Sequence, residues 1–159
     1  MTSNHLIIDG YCLLHRDPEL RPLLRNRIDH ARHRLVQKVA RVCDALADHT
    51  TIVFDGRSRG RDEALSVGSI EVMFSHSDQT ADTVIERMTA SSLRPERIRV
   101  VTSDRAEIAV VTAAGAEAMS CAEFLDRCAE VERRAGQHIR YGNRRGRANR
   151  LGDHFPADQ

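Results

Sequence analysis

Apolar residues recur along this chain in two alternating rhythms, short uninterrupted runs and longer stretches with a helical period. His5–Asp9 is an apolar run ending at Gly10 and predicts a buried first strand. Residues 15–27, broken by Pro18 and Pro22, predict an irregular or partly helical connection. From Ile28 the apolar positions 28, 31, 35, 39, 42 and 46, with 36 and 43 beside them, keep a 3.6-residue period. They predict one long amphipathic helix. Thr50–Asp55 is rich in β-branched residues and predicts the second strand. Gly56–Gly68, full of Gly, Ser and charge, reads as a mobile loop at the same sheet edge.

The alternation continues with a third strand over Ser69–Phe74 and a helix capped by Thr80 that runs to about Ser91. A fourth strand over Ile98–Thr102, a short helix over Asp104–Thr112 and a weak fifth strand over Ala116–Met119 follow. Ser120–Arg134 predicts a last helix, with Phe124, Leu125, Cys128 and Val131 on its inner face. Strands separated by helices imply an α/β fold: a parallel sheet, right-handed crossovers and helices on both faces.

From about Ala135 the periodicity disappears and Gly, Asn and Arg dominate, which predicts a tail that is disordered or orders on a partner. Charge separates at the same place. Residues 133–150 hold seven arginines and no acid, whereas residues 1–132 hold 17 basic and 21 acidic side chains. The whole chain still sums to +1. An acidic body with a basic tail suits a polyanion whose phosphates must reach a metal-charged acidic pocket.

At 159 residues the chain is one domain with room for a core. No apolar run approaches the ~18 residues of a membrane span. Residues 1–4 are polar and lead straight into the first strand, so no signal peptide is expected and the cytosol is the expected compartment. Cys12, Cys43, Cys121 and Cys128 form no Cys-x-x-Cys pair and have no His at zinc-finger spacing, which predicts reduced, half-buried thiols.

Candidate chemistry lies at the junctions between elements. Asp9, Asp55, Asp82 and Asp104 each sit where a predicted strand stops or the next helix starts. Ligands of open parallel sheets bind beyond the carboxyl ends of the strands, so these carboxylates are expected to converge there. Unpaired carboxylates in one pocket repel, and a hard divalent cation relieves them. Each also has a plain structural reading. Asp9 and Asp55 suit turns before glycine, Asp82 suits a helix first turn, and Asp104 with Glu107 resembles a capping box. Ser103 and Arg105 flank Asp104 at a helix start suited to a phosphate. Arg57, Arg59 and the arginines beyond 132 read as general phosphate contacts. Stacking platforms are scarce: there is no Trp, and Tyr11 and Tyr141 are the exposed candidates. Asp-x-Asp, P-loop and Gly-x-Gly-x-x-Gly signatures are absent, which argues against phosphatase and nucleotide-cofactor chemistry.

The set Ile8-Asp9-Gly10-Tyr11, Val53-Phe54-Asp55-Gly56, Thr80-Ala81-Asp82 with Ile85-Glu86-Arg87, and Val101-Thr102-Ser103-Asp104-Arg105-Ala106-Glu107 resembles the YacP-like branch of the NYN domain family, within the PIN-like nucleases. The resemblance spans about residues 5–130. It implies a three-layer α/β/α sandwich with a mainly parallel sheet of about five strands over residues 1–134; the Arg-rich tail over 135–159, expected to be flexible, lies outside it. It also implies Mg²⁺- or Mn²⁺-dependent cleavage of RNA by an endoribonuclease, with ribosome-associated messenger RNA as substrate. On this reading Asp9, Asp55, Asp82 and Asp104 are catalytic and metal-binding, while Tyr11, Cys12, Ser103, Arg105, Arg57 and Arg59 contact substrate. One position departs from the pattern. Cys12 stands where the family usually has Asn, and a thiol is a weaker donor than an amide. That departure motivates the alternative of an RNA- or ribosome-binding module with weakened hydrolysis.

Overall fold

The structure is a computed structural model that describes residues 3–56, 60–61, 65–76 and 78–152. Among the described residues six strands form one sheet: β1 (Ser3–Asp9), β2 (Ala47–Phe54), β3 (Gly60–Arg61), β4 (Ile70–Phe74), β5 (Ile98–Val101) and β6 (Glu117–Met119), in the order β3-β4-β2-β1-β5-β6. Five of them run parallel; the two-residue β3 pairs antiparallel with β4 at one edge. The helices are α1 (Gly10–Arg16), α2 (Ile28–Ala40), α3 (Cys43–Leu46), α4 (Ala81–Ala90), α5 (Arg105–Ala113) and α6 (Cys121–Gly152).

Strand period divides the core into two layers. Leu6 and Ile8 face one side with Ile52, Phe54 and Val101, against Leu13 and Leu14 of α1, Leu35 and Val39 of α2, and Phe124 of α6. Ile7, Val53 and Val100 face the other side, against Ala81, Val84 and Ile85 of α4 and Val111 of α5. Burial on both faces explains why these strands read as uninterrupted apolar runs. The expected α/β/α sandwich with a five-stranded parallel sheet is what the chain forms.

Chain direction places the site. The path moves outward from β1 through β2 to β4, then crosses back over α4 to β5 and β6. The strand order therefore reverses between β1 and β5, where open parallel sheets leave a crevice. Asp9 closes β1, and Thr102 follows β5.

Several local elements differ from the pattern-based expectation. A helix, α1, begins directly at Gly10, where a sharp turn was expected. Gly10 answers to packing, since a Cβ there would lie 2.3 Å from the Phe54 ring. The helix expected from Ile28 to Leu46 breaks at Arg41 and resumes as the four-residue α3. Within the expected loop 56–68, Gly60–Arg61 joins the sheet. The last helix continues past Arg134 to Gly152, so much of the expected tail is helical.

Candidate functional site

Asp9 ends the central strand and also caps α1: its Oδ1 accepts from the Cys12 amide at 3.3 Å. A strand end that is also a helix start has little freedom to move, and the carboxylate is held only 8% exposed. Asp82 enters from the first turn of α4. That turn is fastened twice, by Thr80 accepting from the Thr83 amide at 3.2 Å and by Asp55 Oδ1 accepting from the Ala81 amide at 2.6 Å. Glu107 enters from the first turn of α5 and is 1% exposed. The Thr102 hydroxyl donates to its Oε2 at 2.7 Å, and Oε1 is buried with no donor reaching it.

Asp9, Asp82 and Glu107 each bring an oxygen to within 4.8 Å of the others. Among the described residues no Arg, Lys or His forms an ion pair with any of the three. Burial pushes the Asp9 carboxyl up to about 6, helped by the nearby Cys12 and Asp82. Burial likewise pushes Glu107 up to about 9, with Asp9 and Asp82 adding repulsion. Three acids crowded without a counter-charge resist ionisation, and a cation reverses that preference. An all-oxygen donor set suits a hard divalent ion. Together with the donorless Oε1, the geometry fits such an ion.

The four aspartates singled out in the sequence divide into two pairs. Asp9 and Asp82 belong to the converging group. Asp55 and Asp104 lie outside it and are exposed. Asp55 holds the start of α4, hence Asp82. Asp104 caps α5, its Oδ1 accepting from the Ala106 amide at 2.9 Å and the Glu107 amide at 3.3 Å, which holds Glu107. The third member of the group, Glu107, was read as part of a capping box and stood in the motif set that carries the resemblance, without a ligand role. A signal was present: Glu107 precedes the fully buried Val111 by one helical turn, on the inward face.

Ser103 points into the protein. Its amide donates to the Cys12 sulfur at 3.2 Å and its hydroxyl accepts from the Cys121 amide at 3.2 Å, which fastens the start of α6. Arg105 is exposed at the start of α5. Tyr11 is half-buried against Phe54, ring centroids 5.2 Å apart, and its hydroxyl accepts from Arg32 at 2.6 Å. The Cys121 thiol donates to the Cys12 sulfur at 3.5 Å, lowering the Cys12 thiol to about 5 and raising Cys121. Arg57 and Arg59 lie outside the described residues.

The model of the YacP-like NYN domain matches residues 6–159, which takes in the basic segment as well as the sandwich. The YacP protein of Bacillus subtilis (strain 168) is 31% identical over 137 residues, 85% of this chain and 81% of that protein. The crystal structure of Rae1 (YacP) from Bacillus subtilis superimposes with a TM-score of 0.76 at 28% identity, covering 94% of this chain and 87% of that one. A tryptophan-to-leucine variant of it gives a TM-score of 0.74 at 30% identity, covering 88% and 84%. Fold and sequence agree, and the chain belongs to the YacP-like NYN domain family.

Proposed function

We propose that this chain hydrolyses RNA phosphodiester bonds with Mg²⁺ or Mn²⁺ held by Asp9, Asp82 and Glu107. NYN membership suggests a nuclease-like domain that works on RNA. The observation that carries the reading is the convergence of three carboxylates from β1, α4 and α5, two of them buried, with no cationic partner among the described residues. A divalent ion bound there would lower the pKa of water and steady charge on the leaving oxygen.

The chain's own residues then have defined work. Asp9 and Glu107 enter ionised when the cation binds, each held by one fixed donor, the Cys12 amide and the Thr102 hydroxyl. Asp55 and Asp104 orient the two helix starts that carry Asp82 and Glu107. Arg105 and Tyr11, with Arg57 and Arg59, contact the RNA backbone, and the α6 arginines extend that contact. Endonucleolytic cutting of ribosome-associated messenger RNA in the cytoplasm is the finer form of the proposal. Incubating single-stranded and structured RNA with Mn²⁺, Mg²⁺ or EDTA, and sequencing product ends, tests it. Internal cuts that EDTA abolishes are expected; cleavage indifferent to EDTA would refute it.

Cys12 favours a second reading, an RNA-binding module with weakened hydrolysis. Its sulfur accepts from the Ser103 amide and the Cys121 thiol, and a thiol is a weaker donor to phosphate than the amide of Asn. Cys12→Asn separates the readings: a large gain in cleavage supports weakened hydrolysis, and little change opposes it.

A further inference from the structure

We propose that Cys12 and Cys121 form an oxidisable dithiol beside the acidic pocket, closing to a disulfide under a hydroperoxide and reopening under a thiol reductant. The two sulfurs come from elements 109 residues apart and lie 3.5 Å from each other. A disulfide needs about 2.05 Å, so the two sulfurs must approach by roughly 1.5 Å. Cys12 is half-buried on α1, whereas Cys121 is fully buried at the start of α6. The pair thus divides into a partly exposed thiol that an oxidant can reach and a fully buried thiol in contact with it. The Ser103 amide points at the Cys12 sulfur at 3.2 Å, which fixes the reachable sulfur in place facing Cys121. The remaining thiols are engaged elsewhere: Cys43 contacts Ser69 and Asp44, and Cys128 lies near Lys38.

The chemistry balances with hydrogen peroxide as oxidant. Cys12 sulfur gives an electron pair to the peroxide; an S–O bond forms, the O–O bond breaks, and water leaves, taking the thiol proton. Cys121 sulfur then attacks the resulting sulfenic acid; the S–S bond forms, the S–O bond breaks, and a second water carries away the Cys121 proton. Two thiols have lost two electrons, and one peroxide has become two waters. A dithiol reductant reverses this by two exchange steps.

Closure would disturb the carboxylates from both sides. It draws the Cys12 sulfur from the Ser103 amide, next to Thr102, which holds Glu107, while the Cys12 amide holds Asp9. An effect on cleavage rests on the nuclease reading; formation of the bond does not.

The test uses the full chain carrying Cys43→Ser and Cys128→Ser, titrated with hydrogen peroxide without RNA and followed by thiol counting and peptide mass mapping. Expected is loss of both thiols in a monomeric product, with a Cys12–Cys121 linked peptide that dithiothreitol releases. Conversion of Cys12 to sulfinic or sulfonic acid while Cys121 stays free, or a disulfide between two chains, would overturn it. Wild-type chain treated the same way gives the same linked peptide if the double variant folds poorly, and its absence there also overturns the proposal. In an RNA cleavage assay the oxidised form is expected to slow by about tenfold or more and recover on reduction, and Cys121→Ala is expected to lose the reversible part. A linked peptide with unchanged cleavage would overturn the regulatory half. If reduced protein cuts no RNA, the nuclease reading fails and the peptide map still decides the dithiol.

Discussion

The acidic pocket and the distal half of α6 each concentrate one sign of charge, yet they rest on different physics. In the pocket, Asp9 and Glu107 are buried and every supporting bond is local in sequence: an amide, a hydroxyl, a helix cap. In the distal half of α6, every described position from Glu132 onward is exposed, and Gly136 and Gly142 sit in open space with no packing reason for glycine. Such a helix is sustained by its own backbone bonds and by pairs such as Arg133 and Arg134 with Glu130. Charge confined by burial is stored repulsion that a compact cation relieves. Charge spread along an exposed helix meets an extended polyanion and is screened by salt.

The largest effect is expected in the pocket. Asp9→Asn and Glu107→Gln should each lower cleavage on the order of 10²-fold or more, since each removes a charged ligand from a site supplying several kcal/mol. Both should also raise the melting temperature without metal, because an amide ends the crowding of acids. Cleavage within threefold of the parent, or a lower melting temperature in both variants, would break the account.

Neutralising the arm should act on binding and leave cleavage at saturating RNA nearly intact. Changing Arg140, Arg144, Arg145 and Arg147 to Gln is expected to weaken RNA affinity and flatten its salt dependence. Each lost single-strand phosphate contact removes roughly 0.7 from the slope of log affinity against log salt. An unchanged slope would show that the arm does not touch the RNA.

The pocket's protonation supplies a quieter effect. Asp9 and Glu107 have folded pKa values raised to about 6 and about 9. Their contribution to stability is complete below the ordinary carboxylate range near ~4 and is lost as pH rises through those values. Without divalent ions the melting temperature should therefore fall between about pH 5 and 9 relative to that of a variant carrying both Asp9→Asn and Glu107→Gln, which isolates these two groups from the thiols. Mn²⁺ binds the ionised carboxylates, so the rise it brings should be larger at pH 8 than at pH 5. A metal-induced rise that is equal at both pH values would count against these three residues as ligands.

The parallel sheet and its two helical layers were legible because runs such as Leu6-Ile7-Ile8 are buried on both faces and have no other stable use. The long reach of α6 was not legible, since a helix without a buried stripe has no periodicity to read. Nor was α1, where seven residues follow a strand without a break. In the site, Asp9 and Asp82 were found from their place at element junctions. Glu107 was hidden by its own neighbour. Asp104 three residues earlier completes a capping pattern that explains both residues without any ligand, and only the inward face shared with Val111 separates the two uses.

Asp104 gives the finest test of that division, because capping and ligation ask different things of it. Its Oδ1 accepts from two amides of α5, and replacing such a cap with Ala typically costs ~1 kcal/mol, or about 2–4 °C of melting temperature in a domain of this size. Ser also caps well but carries no charge. If Asp104 serves as a cap, Asp104→Ser keeps most of the stability and leaves cleavage within a fewfold of the parent, while Asp104→Ala loses the ~1 kcal/mol and a modest share of activity as Glu107 loosens. If Asp104 were a ligand, Ser and Ala would both abolish cleavage, and the melting temperature would not track the loss. The same pair of substitutions at Asp55, which accepts from the Ala81 amide, asks whether Asp82 depends on its helix start as Glu107 does. Matching small losses at both positions would place the charge that matters on Asp9, Asp82 and Glu107.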